Sequence, residues 1–280
     1  MKVGIIGAGV MGTGVSQDLL QHNIDVVLAD INEQILEKVY KQIEIDIHMY
    51  NLFTAKGSIN EKTIMEKLKL TTDLSDMSDV DFIIENVNES YELKKSIYVQ
   101  IDKIAKTECI FAVNTSCISI TKLGNCIGRP DKVVGTHFMN PVPYKKYVEM
   151  IRGYHTSDET IAKMNVFFES IGKESILVND YPGFVSNRLS HLLMNEAAWV
   201  VQDGVAAPED VDKIFTECFG HKMGPLATAD LIGLDTVVDS LNVLYGSYHD
   251  PKFRCCPLLQ KMVDANKLGK KTNEGFFDYY

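Results

Sequence analysis

Apolar and polar positions follow two alternating periods along the first two-thirds of the chain and a single period in the last third. Val3 to Ile6 is a short apolar run that stops at Gly7, and a helical pattern starts directly after it, with Met11, Val15 and Leu19 on one face. A second apolar run, Val26 to Ala29, ends at Asp30. Ile31 to about Thr54 predicts a long helix, with Ile35, Val39, Ile43 and Ile47 at four-residue steps and Gly57 as its C-cap. Asn60-Glu61 opens a short helix carrying Ile64, Met65 and Leu68. Strands are predicted at Leu70–Thr72, Val80–Ile84, Cys109–Val113, Val133–Thr136, Tyr147–Ile151 and Glu174–Val178. Between them lie helical patterns on Leu93, Ile97, Ile101 and Ile104, on Leu123 and Ile127, and over residues 158–171. This alternation predicts an α/β fold with a mostly parallel, Rossmann-type sheet. After Tyr181-Pro182-Gly183 only helical spacing remains. Leu189, Leu192, Leu193, Ala197 and Val200 mark one helix, Val211, Ile214, Phe215 and Cys218 another, and residues 230–245 and 257–268 continue the pattern. The expected organisation is a nucleotide-binding domain over 1–181 and a smaller all-α domain over 182–280.

The first strand-to-helix turn reads Gly7-Ala8-Gly9-Val10-Met11-Gly12, a G-x-G-x-x-G in the context that gives it meaning. Gly7 suits a tight turn, Gly9 lets a pyrophosphate approach the backbone, and Gly12 lets helix and sheet pack closely. Gly7, Gly9, Met11 and Gly12 are therefore candidate cofactor residues. Asp30 stands 18 residues after Gly12, where a carboxylate meets a ribose diol and repels a 2′-phosphate, so the expected cofactor is NAD.

Composition narrows the function further. The 280 residues are 45% apolar and 24% charged, as in a folded globular protein. A net charge of -10 and a pI near 5.2 argue against nonspecific nucleic-acid binding. Lys2 is followed at once by core-like sequence, so no secretory leader is expected, and no apolar run reaches the roughly 18 residues of a membrane span. The six cysteines form no CxxC and no zinc spacing, which predicts free thiols in the cytoplasm and no metal.

Polar residues gather just past the strand ends, where ligands sit in such sheets. Glu85 to Glu89, Asn114-Thr115-Ser116 and His137 are of this kind, and Asn140 and Glu149 follow in the next turn and strand. Oxidising an alcohol needs a base for the hydroxyl proton, and histidine suits it near neutral pH. Glu149 is its best partner, because the 138–147 turn can fold the next strand back beside His137. Ser116, and Asn187 at the start of the second domain, can hydrogen-bond a carbonyl or alkoxide oxygen. Each residue alone has a plainer reading: His137 as a surface or satisfied histidine, Asn187 as a helix cap. Glu85 and Glu89 could form a carboxylate pair for hydrolysis, but they sit on the cofactor side and no sugar pocket is indicated. Cys117 needs no role as a nucleophile.

The ordered motifs make the chain resemble the 3-hydroxyacyl-CoA dehydrogenase family, in particular the short bacterial 3-hydroxybutyryl-CoA dehydrogenases. They are GAGVMGTG at 7–14, Asp30, ENVNE at 85–89, NTS at 114–116, HFMNPVP at 137–143, VEMIRG at 148–153, PGFVSNR at 182–188, MGP at 223–225, DLIGLD at 230–235 and GFFDY at 275–279. The resemblance implies His137 as catalytic base with Glu149 as its partner. It implies Ser116 and Asn187 on the substrate oxygens, and Glu89, Lys94 and Asn140 around the nicotinamide ribose, with Asn114 also on the cofactor side. It also implies a homodimer formed through the C-terminal domain.

The chain departs from the family at several points. Asn86 and Asn88 replace small or apolar residues, Cys117 follows NTS, Met139 replaces an aromatic, Tyr144-Lys145-Lys146-Tyr147 replaces an apolar turn, and Asn273 stands where a glycine is usual. In the stretch 48–57, where lysines meet the CoA nucleotide, only Lys56 remains as a substrate contact. Two carriers stay open. One is CoA, with 3-hydroxybutyryl-CoA oxidised to acetoacetyl-CoA. The other is acyl carrier protein bearing a small polar hydroxyacyl group of glyceryl type, for which Asn86, Asn88, Tyr144 and Lys145 would supply polar capacity near the acyl end. A non-catalytic binding or structural protein is the remaining class, opposed by the intact set Ser116, His137, Glu149 and Asn187.

Overall fold

A computed structural model describes residues 1–54 and 61–279, and the chain divides into two compact units, Met1–Asp180 and Tyr181–Tyr280. Lys56 and Gly57 lie outside the described residues.

The first unit is built on an eight-stranded sheet: β1 (Lys2–Ile6), β2 (Asp25–Ala29), β3 (Leu68–Thr71), β4 (Phe82–Glu85), β5 (Ile110–Val113), β6 (Val133–His137), β7 (Tyr147–Arg152) and β8 (Glu174–Asn179). Their spatial order is β3-β2-β1-β4-β5-β6-β7-β8. The first six run parallel; β7 is antiparallel to β6, and β8 is parallel to β7. The order reverses between β1 and β4, which opens a crevice at their C-terminal ends where α/β sheets bind ligands.

The connecting helices are α1 (Val10–Gln21), α2 (Glu33–Thr54), α3 (Glu61–Met65), α4 (Tyr91–Ile104), α5 (Ile120–Gly124) and α6 (Asp158–Ser170). Strand alternation sends Val3, Ile5, Ile84, Ala112 and Val134 into one core, against Val15 and Leu19 of α1, Ile43 and Ile47 of α2, and Met164 and Phe168 of α6. Ile83 and Phe111, the alternate strand positions, are buried as well, and the Phe111 ring lies 5.9 Å from that of Tyr98 on α4.

Two helical readings of the first unit shift in phase, and one strand starts earlier than expected. On α2 the buried line is Leu36, Val39, Ile43 and Ile47, and Ile35 is exposed, because strict four-residue steps drift off a 3.6-residue face. On α4 the buried line is Lys94, Tyr98 and Ile101, with Leu93 exposed. Leu68, expected at the end of a helix, instead opens β3.

The second unit contains α7 (Ser186–Gln202), α8 (Pro208–Lys213), α9 (Pro225–Ile232), α10 (Leu234–Tyr248) and α11 (Pro257–Asp264), with a π-helical turn over Ile214–Cys218. Met194, Ala198, Ala229, Leu234, Val237, Leu241 and Leu259 form its core. Leu189 and Leu193 are exposed on α7, where the buried line is instead His191, Met194, Asn195 and Ala198. Asp230, fully buried, fastens the C-terminal tail by accepting from the Phe276 and Phe277 amides (both 3.0 Å) and from the Tyr279 hydroxyl (3.1 Å). No helix among the described residues is long and apolar enough to cross a membrane.

Candidate active site

The glycine turn after β1 has the geometry of a dinucleotide cradle. Gly7 sits at φ +97°, and a side chain there would press on the backbone of Asn86 and Val87. A Cβ on Gly12 would overlap the carbonyl oxygen of Gly7, so only hydrogen permits the close packing of α1 under the turn. A Cβ on Gly9 would meet nothing within 4 Å; that face is open to a ligand, at the N-terminus of a 12-residue helix. These positions fit a bound pyrophosphate. Asp30 accepts from the Ala8 amide at 2.8 Å and from the Asn32 amide at 3.2 Å, which ties the acid to the turn. Met11 is half-buried with its side chain against the apolar core, and its neighbour Val10 lines the adjoining cleft.

A cavity of about 450 Å³ runs from Gly7 and Gly9 past Asp30 to Asn86, Val87 and Asn88. Its apolar wall is Ile31, Ile35, Leu74, Leu93 and Ile97. This wall was not legible as a binding surface in the sequence; in the fold Ile31, directly after Asp30, is 98% exposed. An apolar slot beside an acid at a strand end suits a flat purine ring. Asn86 and Asn88 thus line the dinucleotide side and not the acyl end. The Asn86 side chain is already satisfied: it donates to the Ile84 carbonyl at 3.0 Å and accepts from Asn114 at 2.7 Å.

Behind this crevice lies a buried charge pair that sequence reasoning missed. Lys94 and Glu85 are both wholly inaccessible, and Lys94 Nζ donates to the two Glu85 carboxylate oxygens at 2.8 and 3.0 Å. It also donates to the carbonyls of Asn114 (3.0 Å) and Val87 (3.3 Å). Burial raises the Glu85 carboxyl above its usual range, and Lys94 opposes that rise. Lys94, expected at the nicotinamide ribose, is wholly buried and ties together the chain ends of β4 and β5. The signal in the sequence was a lysine in phase with Tyr98 and Ile101. Asn114 is similarly engaged, accepting from the Phe138 amide at 3.3 Å as well as bonding Asn86.

The candidate catalytic residues are assembled beyond β5 and β6. Glu89 Oε1 accepts from Thr115 Oγ1, from the Ser116 amide (2.9 Å) and from the Cys117 amide (3.0 Å), which folds the 115–117 loop around one carboxylate oxygen. Ser116 Oγ then lies 3.2 Å from His137 Nε2. The antiparallel register of β6 and β7 sets Glu149 directly opposite His137, and Glu149 Oε2 lies 3.0 Å from His137 Nδ1. Both residues are over nine-tenths buried. The result is a hydrogen-bonded line, Glu149–His137–Ser116. An ionised Glu149 fixes the Nδ1–H tautomer and leaves the Nε2 lone pair facing Ser116.

Asn140 is exposed and lines a second cavity, of about 480 Å³, with Gly9, Val10, Gln42, Asp46 and Tyr144. Tyr144 packs its ring 5.6 Å from that of Tyr50 on α2. Asn187 lies in the first turn of α7 in the second unit, where its carbonyl oxygen bonds His191 Nδ1 at 2.9 Å. Among the described residues no group of three or more His, Cys, Asp or Glu side chains could hold a metal ion.

A glycine cradle with its carboxylate, and a histidine–carboxylate pair at the same edge of the sheet, define a nucleotide-dependent dehydrogenase of the α/β class. Comparison with known proteins gives the family. Residues 2–181 match the NAD-binding domain of 3-hydroxyacyl-CoA dehydrogenase, and residues 183–279 match its C-terminal domain. A probable 3-hydroxybutyryl-CoA dehydrogenase of Deinococcus radiodurans is 43% identical, over 100% of both chains. The 3-hydroxybutyryl-CoA dehydrogenase of Clostridioides difficile is 41% identical, over 100% of this chain and 99% of its own. The crystal structure of (S)-3-hydroxybutyryl-CoA dehydrogenase from Ralstonia eutropha superposes with a TM-score of 0.95 at 39% identity, covering 100% of this chain and 99% of that one. The chain belongs to the 3-hydroxyacyl-CoA dehydrogenase family and is an NAD-dependent oxidoreductase.

Proposed function

We propose that this enzyme oxidises the 3-hydroxyl of a short acyl-CoA, with 3-hydroxybutyryl-CoA giving acetoacetyl-CoA, and runs the reverse reduction under an excess of NADH. The observation that carries the reading is the line Glu149–His137–Ser116 at the sheet edge that also holds the dinucleotide cradle. NAD, when bound, supplies the acceptor for the hydride from the carbon bearing the hydroxyl. The protein's part is the proton. His137 Nε2 accepts it from the substrate hydroxyl, and Glu149 stabilises the imidazolium that forms. Ser116 Oγ, 3.2 Å from Nε2, marks where the substrate oxygen is held. Glu89 acts on this step indirectly, by fixing the loop that carries Ser116. Asn140 is assigned to the ribose of the cofactor, and Asn187 and Lys56 to the thioester substrate by family resemblance.

The carrier-protein reading loses part of its basis, because Asn86 and Asn88 belong to the dinucleotide side of the crevice. Oligomeric state and location belong to the same proposal: a cytoplasmic homodimer. Leu189, Val205, Phe219 and Leu231, exposed on the second unit, support the first part, and six free cysteines are in keeping with the second. Sedimentation of the full chain at twice 31.4 kDa is the expected result. Substrate is tested by NADH formation from 3-hydroxybutyryl-CoA against the same acyl group on acyl carrier protein. Preferential turnover of the carrier-bound form would replace CoA in this reading.

A further inference from the structure

A second buried charge pair lies on the other side of the cradle. Asp18 is on α1, the helix that starts at Gly9, and Lys173 precedes β8. Their side chains are 3% and 4% exposed, and Lys173 Nζ lies 3.1 Å from Asp18 Oδ2. Nζ also donates to the carbonyls of Val142 (2.8 Å) and Lys145 (2.7 Å). These two carbonyls bracket the tight turn Val142–Tyr144, and Lys173 closes that turn from below. The turn follows His137 and carries Asn140 and Tyr144 into the wall of the 480 Å³ cavity, opposite Gly9 and Val10 of α1. Gly14 packs against Val142, where even a Cβ would be at the limit of contact, 3.4 Å.

We infer that Asp18 and Lys173 are positioning residues that hold the 140–145 turn at a fixed distance from the phosphate-binding helix, and so set the width of the cleft that admits the thioester. Burying a charge pair is costly, and an apolar pair of similar size would serve stability as well. What an apolar pair lacks is the donors. Only a cation with several N–H groups can satisfy two converging carbonyls and an acid on a different element at once. Asp18 supplies the balancing charge from α1, and thereby makes the turn and the helix one rigid wall. Burial holds the Asp18 carboxyl above its ordinary value, although Lys173 and then His22 pull it down.

This inference rests on the thioester reading of the site, and its test separates the two. Lys173→Met removes the donors. The double variant Asp18→Leu/Lys173→Met removes the unpaired acid as well, so that folding is preserved even where the single variant fails. In the double variant the expected result is a KM for 3-hydroxybutyryl-CoA raised about ten- to a hundredfold, the worth of one charge-assisted hydrogen bond, with a smaller change in kcat. NAD binding, read by fluorescence titration, is expected to weaken less than thioester binding, because the Asp30 side is untouched and Asn140 is the one residue assigned to the cofactor that rides on the turn. Hydrogen exchange at the amides of residues 142–146 should speed up, and this readout needs no substrate. A pair with a purely structural role would lower the melting temperature and leave KM unchanged; an unchanged KM overturns the inference, and so does unchanged exchange at residues 142–146. If the wild-type protein does not turn over the thioester, the functional reading fails, and the exchange result alone decides the clamp.

Discussion

Replacing Glu149 by Gln isolates the electrostatic part of the mechanism. Glutamine keeps the length and one acceptor oxygen of Glu149 and removes only the charge. In the wild-type site the carboxylate oxygen is 3.0 Å from His137 Nδ1, and both side chains are about nine-tenths buried. When His137 takes the substrate proton, a full positive charge arises beside that carboxylate. With charge centres about 4 Å apart and an effective dielectric of about 20, the attraction is about 4 kcal/mol. The amide dipole recovers part of it, leaving a loss of about 2–3 kcal/mol, or about 30- to 150-fold in kcat. The amide can also turn its NH2 toward Nδ1, which places the proton on Nε2 and blocks the base; this pushes the loss toward the upper figure. The assay is initial NADH formation at saturating substrate and NAD, with NAD affinity measured separately by fluorescence titration. A kcat within threefold of wild type would refute the argument, and so would a loss of NAD affinity that matched the loss of rate.

Three other outcomes follow from the same geometry. His137→Gln should cost more than Glu149→Gln, about 100- to 10000-fold in turnover, with NAD binding intact; an active variant would remove the proposed base. Asp30 should make NAD preferred over NADP, since a second anion would face a carboxylate already fixed at 2.8 Å from the Ala8 amide; equal kcat/KM with NADPH in the reductive direction is the contrary result. Lys94→Met leaves the inaccessible Glu85 unpaired and frees the carbonyls of Val87 and Asn114, so unfolding should lose about 3–5 kcal/mol, seen as a lower Tm, and an unchanged Tm would show that the pair is dispensable.

The sequence by itself determined the local elements and the chemistry they carry. The apolar runs at Val3–Ile6 and Val26–Ala29, the glycine turn and Asp30 are contiguous signals whose meaning depends on neighbours in the chain, and so were His137 at a strand end and the loss of strand character after Asp180. What the tertiary structure decided are the pairings over long separations. The antiparallel return of β7 places Glu149 across from His137, a matter of register that no local pattern encodes. Glu89 reaches 27 residues along the chain to fold the Ser116 loop. Lys94 and Lys173 are the clearest cases. In the sequence Lys173 is one more lysine and Lys94 stands out through the family resemblance alone, and a lysine is normally a solvated residue. Their burial follows only once a carboxylate and several carbonyls from distant elements converge on one ammonium, because desolvation makes such a site tolerable only when every donor is met. The apolar wall of Leu93 and Ile97 shows the opposite limit: their spacing predicted a helix, and the fold turned this face of it toward the crevice beside Ile31.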